Sequence, residues 1–202
     1  MSSISIPTVI LSVSAFLLAS RIVIKRTAQI PQAMRTAIVE TLDACLFAAI
    51  LSLVIITFIV QAFYIPSGSM EPTLMIDDRI LVAKFVYRLE PVHRGDVIVF
   101  RYPLNPQRDF VKRVIGLPGD RVGLKDGVVY VADRAISERG YTIKPDFGNY
   151  GPVIVPAHQY FVLGDNRNNS EDSRFFGYVP RANVIGKAMF IYWPLPRVGF
   201  VH

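Results

Sequence analysis

Of the 202 residues, 51% are hydrophobic and the mean hydropathy is +0.36, which excludes a disordered chain and is high for one that never meets a membrane. The net charge of +6 is unevenly built: residues 64–202 carry 18 Lys and Arg interspersed with 14 Asp and Glu, so there is no polybasic stripe for nucleic acid. Cys45 is the only cysteine, which excludes an intrachain disulfide, a cysteine-based zinc site and a CxxC redox pair.

Residues 4–20 are uncharged but contain Pro7 and several serines; they predict a first membrane span over about 4–24. Residues 44–63, ACLFAAILSLVIITFIVQAF, are twenty without a charge, the length a helix needs to cross roughly 30 Å of hydrocarbon. A cleaved signal peptide is the competing reading of the first segment. Arg21, Lys25 and Arg26 follow the apolar run instead of preceding it, which argues for an anchor. The intervening residues 25–43, with the basic residues at their start, are expected in the cytoplasm. Residues 1–63 thus read as a membrane anchor that delivers residues 64–202 to the extracytoplasmic side.

That second region reads as one domain of short strands. Residues 79–86, 96–102, 110–115, 127–131, 159–163 and 184–193 are rich in Val, Ile, Phe and Tyr. Turn clusters such as His93-Arg94-Gly95-Asp96, Leu117-Pro118-Gly119-Asp120 and Lys125-Asp126-Gly127 separate them. The expected fold is mostly β: an antiparallel, partly closed, barrel-like catalytic domain anchored by two N-terminal transmembrane helices.

His93, His158 and His202 stand singly, without a histidine or carboxylate at metal-ligand spacing, and no P-loop, GxGxxG or HExxH occurs. Neither a metal nor another cofactor is expected. Three segments remain. Pro66-Ser67-Gly68-Ser69-Met70-Glu71-Pro72 follows the second apolar run at three residues' distance, with two hydroxyls between backbone-restricting prolines. Taken alone it is also an ordinary Ser/Gly/Pro turn. Lys112-Arg113-Val114-Ile115-Gly116 follows Phe110 and Val111. A lysine facing inward there loses hydration, which disfavours its ammonium; facing outward, the commoner fate, it is a plain surface lysine. Residues 164–174, GDNRNNSEDSR, crowd charges and hydroxyls into one loop.

Together with Arg94-Gly95-Asp96-Val97, the order and spacing of these segments resemble the boxes of the bacterial type I signal peptidase family, membrane-bound Ser/Lys proteases. The resemblance runs from the second apolar run to Trp193 and implies a membrane-bound serine endopeptidase that removes signal peptides from exported preproteins. It implies Ser69 as nucleophile and Lys112 as general base. Ser67 is similar to the hydroxyl that forms the oxyanion hole with the Ser69 N–H, Ser170 to the residue orienting the amine, and Asp172 with Arg174 to the ion pair holding the loop. Asn168 departs from the family, in which many members carry an acidic residue.

The resemblance also implies small side chains before the cut, seated in shallow apolar pockets, and Phe63, Ile65, Met70 and Val111 are candidates for the walls. Implied partners are preproteins, membrane lipid and a transient neighbourhood with the secretion translocon, but no nucleic acid. The implied location is the bacterial inner (cytoplasmic) membrane, multi-pass, with the catalytic domain outside. Two alternatives compete: a relative of the soluble self-cleaving Ser/Lys repressors, and a catalytically inactive membrane-anchored peptide-binding or assembly module on the same fold. Two apolar spans oppose the first, and the joint presence of Ser69, Lys112 and Ser170 opposes the second.

Overall fold

The computed structural model describes residues 6–26, 31–55, 59–138 and 148–202. They fall into two compact units, Met1–Val60 and Gln61–His202.

The first unit contains α1 (Ile6–Arg26) and α2 (Gln32–Val54). Both are long and apolar enough to cross a membrane: Thr8–Arg26 and Gln32–Val54 have mean hydropathies of 1.8 and 2.0, and nothing in either window is buried by protein. Apolar side chains such as Leu11, Phe16 and Phe47 point outward, the pattern of a helix solvated by lipid. Two serines of α1 close on their own helix, Ser12 Oγ donating to the Thr8 carbonyl at 2.9 Å and Ser14 Oγ to that of Ile10 at 2.8 Å, so these two hydroxyls are satisfied in an apolar setting. Arg21 pairs with Asp43 of α2.

The second span needs correction. The sequence reading placed it at 44–63, whereas α2 starts after Pro31 and ends at Val54, and residues 60–64 are a strand. The charge-free stretch begins only after the first three turns of α2, which hold Arg35, Glu40 and Asp43. The connection expected over 25–43 shrinks accordingly, and its residues 27–30 lie outside the described residues, as do residues 4 and 5 of the first span and 56–58 of the second.

The second unit is built on antiparallel strands: β1 (Val60–Tyr64), β2 (Arg79–Ala83), β3 (Val97–Arg101), β4 (Asp109–Gly116), β5 (Arg121–Lys125), β6 (Val128–Val131), β7 (Arg134–Ala135), β8 (Tyr150–Ile154), β9 (Gln159–Leu163), β10 (Val179–Pro180), β11 (Val184–Trp193) and β12 (Gly199–Phe200), with one-turn helices α3 (Val86–Leu89) and α4 (Ser173–Phe176). The larger sheet runs β1-β2-β11-β3-β4-β9-β10 with β12 on β11; the smaller runs β7-β6-β5-β8. Asp126-Gly127 joins β5 to β6 with both φ positive, 50° and 80°, the two-residue turn that matches strand twist.

Among the described residues the strand pairing does not show the expected partial closure into a barrel. The larger sheet is open, with β1 and β10 at the ends of its path. Beside β4 the pairing also stops short: β3 follows the strand from Asp109 to Arg113, but β9 pairs only from Arg113 onward. Among the described residues one edge of 109–112 therefore has no strand neighbour, and a cleft lies there.

Candidate active site

Ser69 sits in a single 3₁₀ turn, Gly68–Met70, immediately after β1. The β1–β2 pairing continues through Ile65, whose N–H donates to Asp78 and whose carbonyl accepts from Asp77, both at 2.9 Å. The turn is clamped from across the domain by Asn166, whose backbone N–H donates to the Ser69 carbonyl at 3.1 Å and whose side-chain amide donates to that of Gly68 at 3.0 Å. This approach is possible only because residue 164 is glycine. A Cβ there would lie 2.2 Å from Ser170 Oγ and 2.5 Å from the Ser69 carbonyl oxygen. Gly164→Ala is expected to cost about 1–3 kcal/mol by overpacking and to lower kcat along with Tm. Unchanged kcat and Tm would show that the turn and the loop are not tightly coupled.

Lys112, on β4, is 4% exposed, and its Nζ lies 2.8 Å from Ser69 Oγ and 2.9 Å from the Val111 carbonyl oxygen. Phe110 and Val114 share its face of the strand and belong to an aromatic cluster with Phe100, Tyr102 and Phe176; the Phe110 ring centroid is 5.4 Å from Nζ. This apolar lining strips the ammonium of water, and burial pushes the lysine down to about 8, against the weaker opposing pull of Asp172, Glu171 and Asp165. The result is an amine within reach of a hydroxyl, half of it able to accept a proton at about pH 8 and most of it above that.

The alternation of a strand sends Arg113 to the opposite face, yet Arg113 is also buried, because β4 is covered on both sides. Its guanidinium grips Asp165 with two bonds of 2.9 and 2.7 Å and also donates to the Gly95 and His202 carbonyls. Thr73 Oγ1 donates to the same carboxylate at 2.5 Å. This pair fastens β4 to the loop, and the sequence reading assigned neither Arg113 nor Asp165 a role; their adjacency to Lys112 and Asn166 was the available signal.

The Asp172 carboxylate takes two bonds from Arg174, at 2.8 and 2.9 Å, and a third from the Gly164 N–H at 3.1 Å. Arg174 also donates to the Arg167 carbonyl at 2.7 Å, so the ion pair closes the loop on itself. Ser170 lies at the end of that loop, buried, and its Oγ makes no hydrogen bond. The expected contact with the lysine amine is thus not formed. The hydrogen bonds of the amine go to Ser69 and Val111. Asn168 is exposed.

A cleft of about 490 Å³ opens over Ser69 and Lys112, lined by Phe63, Ile65, Ser67, Val99, Phe110 and Val111 among others. Ser67 is exposed and donates a long bond, 3.5 Å, to Ser69 Oγ. Of the four candidate wall residues, Met70 is the exception. It is fully buried in the core with Leu74, Ile80 and Val82 and does not line the cleft, because the 3₁₀ turn that presents Ser69 sends the next side chain inward. His93 and His158 are exposed, and neither lines the cleft. Among the described residues no group of three or more His, Cys, Asp and Glu side chains could hold a metal ion.

The family model "Signal peptidase, peptidase S26" matches residues 38–193. The chain is 48% identical over 159 residues to the probable signal peptidase I-2 of Synechocystis sp., covering 76% of this chain and 72% of that protein. It is 47% identical over 160 residues to the signal peptidase I of Leptolyngbya laminosa, covering 75% and 78%. With the signal peptidase I of Pseudomonas aeruginosa it shares 36% identity over 213 residues, 74% of each chain.

Proposed function

The chain belongs to the signal peptidase family, peptidase S26, and on that premise we propose that Ser69 is its nucleophile and Lys112 the base that activates it. It is a serine endopeptidase that removes signal peptides from preproteins, and its two apolar helices fit a membrane anchor. The observation carrying the dyad is the 2.8 Å contact between Lys112 Nζ and Ser69 Oγ in a site where burial keeps the amine near neutrality. A hydroxyl is a weak nucleophile until a base removes its proton. The neutral amine takes that proton as Ser69 attacks the scissile carbonyl, returns it to the leaving amine, and then activates the water that hydrolyses the acyl-enzyme. When Ser69 donates to the amine lone pair, an N–H is released from their present bond, and the unpartnered Ser170 Oγ is suited to receive it. Asp172 and Arg174 keep that serine in place.

The developing oxyanion is held by the Ser67 hydroxyl with the Ser69 N–H. Because that charge exists only in the transition state, Ser67→Ala is expected to lower kcat roughly 10²- to 10³-fold with little change in KM. A change mainly in KM would make Ser67 a substrate-binding residue instead.

Substrate adds as a strand along the open edge of residues 109–112, since backbone bonding suits ligands that share little sequence. Phe63, Ile65 and Val111 line the cleft and bound shallow pockets for small side chains before the cut. The apolar helices α1 and α2 act as the membrane anchor, and the unit Gln61–His202 acts as the protease domain, placed outside the bacterial inner membrane. There the enzyme meets lipid and, transiently, the translocon that delivers its substrates. Purified full-length protein mixed with a signal-peptide-bearing preprotein should make one cut at the end of the signal peptide. A cut elsewhere, or one retained by Ser69→Ala, defeats the assignment. In whole cells a thiol probe applied outside should label a cysteine at Lys125 but not one at Arg26; labelling at Arg26 reverses the topology.

A further inference from the structure

We propose that a second cleft of the catalytic unit binds an anionic phosphate ester, of the kind an acidic lipid headgroup presents. This cleft, about 440 Å³, is lined by Lys84, Arg88, Arg101 and Arg181, and Asp109 is its only carboxylate. The cations come from four separate segments: the end of β2, α3, the end of β3 and the turn before β11. The sheet register gathers them, pairing Ala83 with Lys187 and Phe100 with Val184. They are therefore assembled by the tertiary fold and are not a run of neighbours on one helix.

Several cations elsewhere in this unit meet carboxylates: Arg94 with Asp120, Arg113 with Asp165, Arg174 with Asp172, Lys187 with Asp96 and Arg197 with Asp78. Among the described residues Arg88 and Arg181 form no such ion pair, and Arg101 faces only Asp109, its partner in the β3–β4 register. Several guanidinium groups around one cavity raise its positive potential, and each offers the planar fork that bonds two phosphate oxygens at once.

The lipid source follows from the chain itself. Gln61 also lines the cleft and comes seven residues after Val54, the last residue of α2; seven residues reach at most about 25 Å. A site tethered that closely to an apolar span is within reach of headgroups, and anionic leaflets attract such cations.

The test titrates detergent-solubilised full-length protein, by calorimetry, with dioctanoyl phosphatidylglycerol, dioctanoyl phosphatidylcholine and inorganic phosphate. Phosphatidylglycerol should bind more tightly than phosphatidylcholine, and R88Q/R101Q/R181Q should weaken it by at least about tenfold, since charge-assisted bonds are lost. The control R79Q/K125Q/R134Q, with the same change in net charge at exposed sites, should leave it unaltered. Inorganic phosphate that binds as tightly as the lipid supports the phosphate site with a soluble source. Equal binding of both lipids, no loss in the cleft variant, or equal loss in both triple variants overturns the proposal. The cleft variant should still cleave a soluble signal-peptide substrate, which shows an intact fold and separates this site from the Ser69–Lys112 assignment.

Discussion

Ser69→Ala and Lys112→Ala should each reduce kcat by roughly 10⁴-fold or more, and the double variant should be hardly worse than either, because a nucleophile without its base and a base without its nucleophile fail at one step. The geometry makes the pair inseparable: Lys112 Nζ has the Ser69 hydroxyl 2.8 Å away, and both side chains are buried, 4% and 7% exposed. Ser69→Ala deletes one oxygen and should leave Tm nearly unchanged. Lys112→Ala empties a larger volume beside Phe110 but also removes an amine that burial disfavours, so the protein should still fold. Comparing single-turnover rates of the three variants with their melting curves is the measurement. Additive losses in the double variant would mean that the two residues serve different steps. If all three kept wild-type turnover, the activity would have to lie at another site of the chain.

The boxes around Ser69, Lys112 and residues 164–174 were legible in the sequence because their chemistry is written in residue type and order. So were the strands whose apolar runs are bounded by turn residues: β3, β4, β9 and β11 fall within a residue or two of their expected ends. Other elements carried the wrong local signal. The β8 segment Tyr150–Ile154 contains Gly151 and Pro152, residues that argue against a strand when read alone. The turn between β6 and β7 uses Ala132 and Asp133, both at positive φ, where no glycine announces it. Residues 60–64 continue an apolar run, and nothing local marks the change from helix to β1; only pairing with β2 does.

The site divided along the same line. Whether Lys112 faces inward could not be decided from alternation, since β4 buries residues on both faces, Lys112 and Arg113 alike. Met70 is as apolar as Phe63 and sits one residue from Ser69, but the 3₁₀ turn commits it to the core. Residue type can nominate a pocket wall; the rotation of a single turn decides which candidates reach the cleft.

The pH profile should follow the titration of Lys112. Burial takes the amine from 10.5 down to about 8, a differential cost to its ammonium of about 3 kcal/mol. Only the neutral amine can accept the Ser69 proton, so kcat/KM should rise about tenfold per pH unit below 8 and level off above it. At pH 7 roughly one enzyme in ten carries the competent base, and the optimum is alkaline. A histidine base would place that limb near ~6.5, and substituting His93 or His158 would then abolish turnover. Glu171, which lines the cleft, pulls the lysine upward; Glu171→Gln should therefore move the limb toward lower pH, a displacement that a purely structural role for Glu171 would not produce. Lys112→Arg separates charge from basicity, since a guanidinium keeps the positive charge but does not deprotonate at any accessible pH. That variant should be inactive from pH 6 to pH 10. Turnover with an unshifted profile would make Lys112 a fixed charge and leave the base to be sought among the other groups lining the cleft.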